Sequence, residues 1–350
     1  GNGLLIGAYE EDMRFWAEDG TPADFGHELF EDDLDRIMEN VMRAIDRVPL
    51  AANAGVKRVI NGPMIWSPDS SVLFGPVPEL KNYFCCTGII PGFSQSGGFG
   101  LLAAQWMIEG EPQYDMFAWD LARFDDWADK AFTRARVRDQ YIHRFKIHFP
   151  NEERDAGRPV RTRPAYEMQR EQGAVFGLNA GWEHPLWFAD TPGTVETAGF
   201  TRQNWFGPVG REACMLRDNV GVIDISNFAN YVISGPSAHK WLDALVANHV
   251  PRDTGKSCLT PLIGVHGGLA GDFTITCTDD DSYMMIGSGM AERYHKRFFD
   301  MVAMPDDTKL EFATTRIAGF NVAGPRSREM LQRLTNADLS NDAWRFMQSR

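Results

Sequence analysis

Apolar residues at helical spacing predict four helices along this chain. In residues 31–48 they recur every three or four positions, which is the pattern of an amphipathic helix with one buried face. Pro49 follows and cannot continue a helix, so we expect the helix to end there. The other predicted helices cover residues 99–109, where Gly110 gives a stop signal, 125–144 and 238–246.

Short runs of β-branched and aromatic residues predict strands between these helices. The clearest is residues 273–278, whose polar and apolar side chains alternate as in a strand with one buried face. Further strands are expected at residues 3–10, 83–86, 222–226 and 230–235, with a β-rich piece near 59–60. Polar, proline-containing stretches at 149–159 and 190–194 follow neither pattern and predict connections between domains.

Length and composition favour a folded protein of two or three domains. A chain of 350 residues exceeds the size at which a single core usually keeps growing. The formal net charge of −13 comes from 48 acidic and 35 basic residues, which argues against a nucleic-acid partner. The longest apolar run, residues 101–108, is too short to span a membrane.

The cysteines and histidines form no metal-site pattern in the sequence. The five cysteines include no CxxC pair, and the adjacent Cys85 and Cys86 lie in an apolar run typical of buried free thiols. His143 and His148 are not spaced to share one helix face, and there is no HExxH motif. We therefore expect no metal, and we expect a reducing compartment.

A glycine-rich segment, residues 87–100, leads into the helix predicted at 99–109. Its five glycines would let the backbone approach a flat ligand, and the unpaired N–H groups of a helix N-terminus stabilise nearby negative charge. A tight strand-to-helix turn that needs glycine only for steric reasons explains the same composition. The run is not a GxGxxG fingerprint, and none occurs elsewhere in the chain.

A second candidate is Asp272, in a turn that enters the predicted strand at 273–278. A carboxylate there can accept hydrogen bonds from a heteroaromatic ring and assist proton transfer. The alternative is a turn aspartate bonded to its own backbone, which composition alone favours. Asp224 is interpreted as a structural turn or sheet-edge residue, and Trp182 and Trp187 as packing anchors.

Three segments occur in an order that resembles the dimethylglycine/sarcosine dehydrogenase family. They read SPD (67–69) to GP (75–76) with TGIIPGFSQSGGFG (87–100), then GWEHPLWF (181–188), then GGLAGDFT (267–274). Similar stretches are EGEP (109–112), FPNEER (149–154), NWFGPVG (204–210) and VGVIDIS (220–226), so the resemblance covers essentially the whole chain.

The resemblance implies an α+β fold with three parts. Residues 1–125 would be the C-terminal part of a FAD-dependent amine oxidoreductase (DAO-like) domain, and residues 126–190 a connector domain. Residues 204–350 would be the first part of an aminomethyltransferase-like (glycine cleavage T-protein) domain. The dinucleotide-binding glycines and the flavin-carrying histidine of the family have no counterpart here. We therefore expect the chain to be the middle of a longer enzyme and to be inactive alone.

The resemblance also implies an activity: FAD-dependent oxidative demethylation of dimethylglycine or sarcosine, with transfer of the one-carbon unit to tetrahydrofolate. The partners would be an N-methyl amino acid and, as electron acceptor, an electron-transfer flavoprotein or oxygen. The compartment would be the bacterial cytoplasm or the mitochondrial matrix. Two alternatives stay open: a folate-dependent aminomethyl- or methyl-transfer protein without redox activity, and a non-catalytic relative that keeps the fold.

Site residues follow from the resemblance alone. The flavin ring would be lined by Gly88, Ile89, Ile90, Gly92, Phe93 and Ser94. Asp272 would contact tetrahydrofolate and aid catalysis, with Phe273 and Thr274 flanking it. Many relatives carry a second acid where this chain has Gly271, so we expect a weaker local charge.

Overall fold

The computed structural model describes residues 3–350, which form a mixed α and β protein. The helices of this part are α1 (Met38–Arg47), α2 (Gly92–Glu109), α3 (Lys130–His143), α4 (Tyr166–Glu171), α5 (Phe206–Asp218), α6 (Ala238–Leu245), α7 (Glu292–Phe299) and α8 (Ser327–Gln332). The strands are β1 (Leu73–Pro76), β2 (Phe84–Thr87), β3 (Ala174–Asn179), β4 (Trp182–Phe188), β5 (Gly221–Asp224), β6 (Ala229–Ser234), β7 (Ser257–Ile263), β8 (Leu269–Asp279), β9 (Ser282–Gly287), β10 (Lys309–Phe312) and β11 (Phe320–Ala323).

The N-terminal part is built on a two-stranded sheet and a long helix. β1 and β2 pair antiparallel with Phe74 opposite Cys86, and α2 packs across them. Phe74 is fully buried, with ring centroids 5.2 Å from Phe99 and 5.7 Å from Trp106. This aromatic core holds α2 next to the loop that follows β2. No helix of residues 3–350, α2 included, has the length and apolar content to cross a membrane.

Several predictions for this part are wrong, and one of them is the β-rich piece near 59–60, which forms no strand. Residues 3–10 form no strand and are mostly exposed, because no described strand lies beside them to pair with. The helix expected at 31–48 starts later, as a short 3-10 turn at Asp35–Ile37 that continues into α1. At this later start, the Asp33 carboxylate accepts the N–H of Arg36 at 3.2 Å. α1 ends at Arg47, before Pro49, as predicted.

The middle of the chain contains the helix α3 and a hairpin, and a buried ion pair joins the hairpin to the polar stretch at 149–159. α3 begins after Asp129, whose carboxylate accepts the Phe132 N–H at 2.7 Å. The hairpin of β3 and β4 was not predicted as such, because its strands are interrupted by glycine and proline. Arg158 donates to Glu183 of β4, and their side chains are only 8% and 2% exposed. The ion pair fixes the polar stretch at 149–159 against the hairpin.

The C-terminal half contains an antiparallel five-stranded sheet in the order β10-β6-β9-β8-β7. In β8, Phe273, Ile275 and Cys277 are buried, while Asp272 and Thr274 lie on the opposite face, as the alternation in the sequence predicts. α6 and α7 pack on the buried face and complete the main core. The opposite face, which carries Asp272, is more exposed to solvent than the face covered by α6 and α7.

Candidate active sites

The glycine-rich segment is mostly helix rather than loop. α2 begins at Gly92 instead of residue 99, so only Gly88 to Pro91 form the connection from β2. Gly88 has φ +72°, a left-handed conformation that glycine adopts without strain, and Ile89 packs on the aromatic core. The remaining predicted flavin residues, Gly92, Phe93 and Ser94, form the first turn of α2. The six residues are close in the chain, but they do not share one surface, because Gly88 is buried and Ile89 packs on the core, whereas Phe93 is fully exposed.

The N-terminal half of α2 presents an open surface. The Phe93 side chain is 101% exposed, and Gly97, Gly98 and Gly100 would each accept a Cβ with no other atom within 4 Å. Pro91 supplies no side-chain cap, which leaves the N–H groups of the first turn available to a ligand. A flat ring with negative charge at its edge fits this surface, because the helix N-terminus carries partial positive charge.

Asp272 is exposed on the open face of the five-stranded sheet. It lies opposite Pro261 of β7, and Thr274 follows on the same face between Leu259 and Ile286. Phe273 is only 1% exposed and faces the core on the other side of the sheet. Asp272 and Thr274 are thus brought together, whereas the Phe273 side chain does not flank them.

The two candidate sites lie towards opposite ends of α2. Its N-terminus carries the flavin candidates, while just beyond its C-terminus the Glu111 carboxylate accepts the Val265 N–H at 3.1 Å. Val265 belongs to the turn between β7 and β8, the strand of Asp272. An α-helix of 18 residues is roughly 27 Å long at its rise per residue. The sheet that carries Asp272 therefore contacts the end of α2 opposite to the end that carries Gly92, Phe93 and Ser94.

A buried polar cluster lies between α7 and the hairpin, and sequence reasoning missed it. Thr314 donates its hydroxyl to Glu292, and Arg163 donates to the Thr314 carbonyl at 2.6 Å while lying 3.4 Å over the Trp182 ring. Burial raises the pKa of the Glu292 carboxyl. The residues are far apart in sequence, so no spacing signal could have found them. Trp182 does serve in packing, as predicted.

Two further buried groups face each other behind β8. The Tyr231 hydroxyl lies 2.9 Å from Nδ1 of His295, and both residues are almost inaccessible. Burial lowers the pKa of His295 to about 4 and raises the pKa of Tyr231, so both are neutral near neutral pH. Asp224 has the structural role predicted for it, since it accepts the Ser226 N–H and the Gln169 amide, each at 2.9 Å.

Sequence comparisons identify two domain types in the chain. The GCVT N-terminal domain matches residues 165–350, and the FAD dependent oxidoreductase central domain matches residues 109–162. Mitochondrial dimethylglycine dehydrogenase of Homo sapiens is 34% identical and is aligned over 100% of this chain and 41% of its own length. Mitochondrial sarcosine dehydrogenase of Mus musculus is 28% identical over 99% of this chain and 42% of its own.

A solved structure is also similar, at lower identity. It is the glycine cleavage system aminomethyltransferase T from Bartonella henselae, with 21% identity and a TM-score of 0.42, covering 54% of this chain and 46% of that one.

The chain belongs to the dimethylglycine/sarcosine dehydrogenase family, with a GCVT N-terminal domain over its second half. The predicted family and α+β fold class are confirmed. The chain spans about two fifths of the length of the curated relatives that it matches. The activity of the whole protein is therefore a matter of proposal.

Proposed function

We propose that this chain supplies the flavin-facing helix and the folate-binding sheet of an enzyme that demethylates dimethylglycine or sarcosine by oxidation. FAD is the proposed redox cofactor, and tetrahydrofolate the acceptor of the one-carbon unit. One observation carries the proposal: two open surfaces suited to these ligands lie towards the ends of one helix, in a chain aligned over its whole length with dimethylglycine dehydrogenase.

On the flavin side, the residues of α2 fit the proposed cofactor. Bound FAD would supply the acceptor for the hydride that leaves the N-methyl group. The first-turn N–H groups at Gly92, Phe93 and Ser94 would stabilise the negative charge that develops at the ring edge. Gly97 and Gly98 leave room for the ring to approach the helix backbone.

On the folate side, Asp272 is the proposed catalytic group. Its exposed carboxylate can accept hydrogen bonds from the N–H groups of a pterin ring and hold a proton near the folate nitrogen that takes up the one-carbon unit. Thr274 lies beside it on the same face, and the apolar Leu259 and Ile286 offer a surface for the ring. The Phe273 side chain is not part of this proposal.

Placing the proposed flavin and folate sites in one chain would favour transfer of the one-carbon unit over its loss to water. Oxidation of the N-methyl group gives an iminium ion that water hydrolyses to formaldehyde, so a nearby acceptor preserves the one-carbon unit. We further propose an electron-transfer flavoprotein or oxygen as electron acceptor, and the division of the chain at residues 1–125, 126–190 and 204–350. The proposed compartment is the mitochondrial matrix or the bacterial cytoplasm.

The test is the flavin spectrum of the full-length gene product. The proposal expects flavin absorbance in the purified protein, and loss of the oxidised-flavin band when dimethylglycine or sarcosine is added without oxygen. A folate-dependent transfer protein without redox activity would bind tetrahydrofolate but show no flavin reduction. Absence of flavin, or flavin that neither amine reduces, contradicts the proposed oxidation.

A further inference from the structure

The imidazole of His295 packs against the backbone of Gly271, the residue before Asp272, in the space where a side chain at position 271 would lie. We call this space the notch. A Cβ placed on Gly271 would lie 2.8 Å from Nε2 and 3.0 Å from Cδ2 of His295, closer than real Cβ contacts allow. The backbone of β8 therefore rests directly on the edge of the ring. Only glycine at position 271 permits this approach.

The notch extends to the neighbouring strand β9. A Cβ on Gly287 would lie 2.6 Å from the Phe273 ring and 3.2 Å from Cε1 of His295. The rings of Phe273 and His295 are 4.7 Å apart, centroid to centroid, and meet edge to face. The rings of Phe273 and His295 thus occupy the space that the missing side chains of Gly271 and Gly287 leave on adjacent strands. This packing fixes the distance between the two strands and α7.

His295 is held from its other side as well. Nδ1 lies 2.9 Å from the Tyr231 hydroxyl, and Tyr231 is itself fully buried in β6. The ring is almost completely inaccessible, and burial keeps it neutral because it lowers the pKa of the imidazole to about 4. A neutral ring behind the sheet is suited to fix a position rather than to transfer a proton to a ligand on the opposite face.

We propose that His295 is a positioning residue for Asp272, acting through its contact with Gly271. Asp272 is bonded directly to Gly271, so a shift of the β8 backbone at Gly271 moves the Asp272 carboxylate relative to a bound ring. The inference rests on the proposed binding of tetrahydrofolate at Asp272. It also explains why this chain has one acid here: a second carboxylate at position 271 would collide with His295.

The first experiment measures tetrahydrofolate affinity and melting temperature in the full-length protein. His295→Asn keeps a polar group near the Tyr231 hydroxyl but empties the notch at Gly271. We expect it to weaken tetrahydrofolate binding about tenfold or more, since a displaced carboxylate loses its charge-assisted hydrogen bonds to the ring. Leu242→Ala, a fully buried change on α6 in the same core, is the matched control. It should lower the melting temperature with less than about a twofold change in affinity.

The second experiment is a double-mutant cycle. Gly271→Ala should weaken binding and stability because its methyl group collides with the imidazole, and adding His295→Ala should recover part of both by making room. Strictly additive effects, or equal losses of affinity in His295→Asn and Leu242→Ala, overturn the inference. If the unmodified protein binds no tetrahydrofolate, the proposed function fails instead, so the two failures are distinguishable.

Discussion

The carboxylate of Asp120, which is fully buried, accepts hydrogen bonds from both terminal nitrogens of Arg297. Asp120 follows α2 in the flavin-side part of the chain, and Arg297 lies on α7, behind the sheet of Asp272. Arg297 also lies 5.0 Å over the ring of Trp106 in α2. The pair therefore joins the two parts of the molecule that carry the proposed sites.

Removing the Asp120 carboxylate should strongly destabilise the junction. Asp120→Ala leaves the Arg297 guanidinium without its partner and the Ala122 N–H without its cap, and we expect a loss of about 3–5 kcal/mol of unfolding free energy. Chemical denaturation measures this loss. Glu39→Gln, which removes an exposed ion pair with Arg43, is the control and should change stability by less than about 1 kcal/mol. Similar small effects for both variants would show that the buried pair does not hold the junction.

His295 should make the fold sensitive to acid. Burial lowers the pKa of its imidazole from the ordinary 6.5 to about 4, so the unfolded chain binds this proton more tightly than the folded one. The stability contribution is complete above pH 6.5 and is lost as the pH falls to about 4. The difference between these pKa values corresponds to roughly 3 kcal/mol.

Denaturant unfolding over this pH range measures the effect as a difference between variants. The stability of the unmodified chain should fall towards that of His295→Asn as the pH drops from 6.5 to about 4. His249→Asn, whose side chain is 101% exposed, should follow the unmodified chain. A constant difference between the unmodified chain and His295→Asn would mean that the histidine does not titrate as its burial requires.

The glycines of α2 should limit the stability of the fold, and in the proposed function they leave room for the flavin ring. Ala at both Gly97 and Gly98 meets no neighbouring atom and favours the helix, so we expect a gain of about 1–2 kcal/mol. The added methyl groups would keep a flat ring from the helix backbone, so the flavin content of the full-length protein should fall. Denaturation and the flavin-to-protein absorbance ratio measure the two effects. Glu109→Ala, at the other end of α2, should leave flavin content unchanged; retained flavin in the double variant would place the ring elsewhere.

The sequence predicted those helices and strands that depend on residues close together in the chain. β8 was predicted because Phe273, Ile275 and Cys277 alternate with polar residues. The end of α2 at Glu109 was predicted from Gly110, which follows it and whose φ of +83° suits glycine. The start of α2 was missed, because glycines at 92, 97 and 98 have low helix propensity and only packing of Phe99 and Trp106 on Phe74 compensates for it.

Long-range contacts at the candidate sites had no signal in the sequence. Asp272 was found through the family resemblance, but the notch that His295 fills depends on residues 24 positions apart that meet only when α7 packs on β8. The orientation of Phe273 follows from the strand alternation and could have been predicted, since its neighbour Asp272 is polar. The resemblance alone assigned it to the ligand side.

Product analysis of Asp272→Asn tests the central proposal most directly. The full-length protein would be given dimethylglycine labelled with ¹³C in its methyl groups, together with tetrahydrofolate, and the labelled products read by NMR. We expect methylene-tetrahydrofolate from the unmodified protein, and free formaldehyde from Asp272→Asn at an unchanged rate of flavin reduction; Asp280→Asn, at an exposed hairpin tip, should behave as the unmodified protein. Equal yields of methylene-tetrahydrofolate from the Asp272 variant and the unmodified protein, or loss of flavin reduction in that variant, would contradict the account.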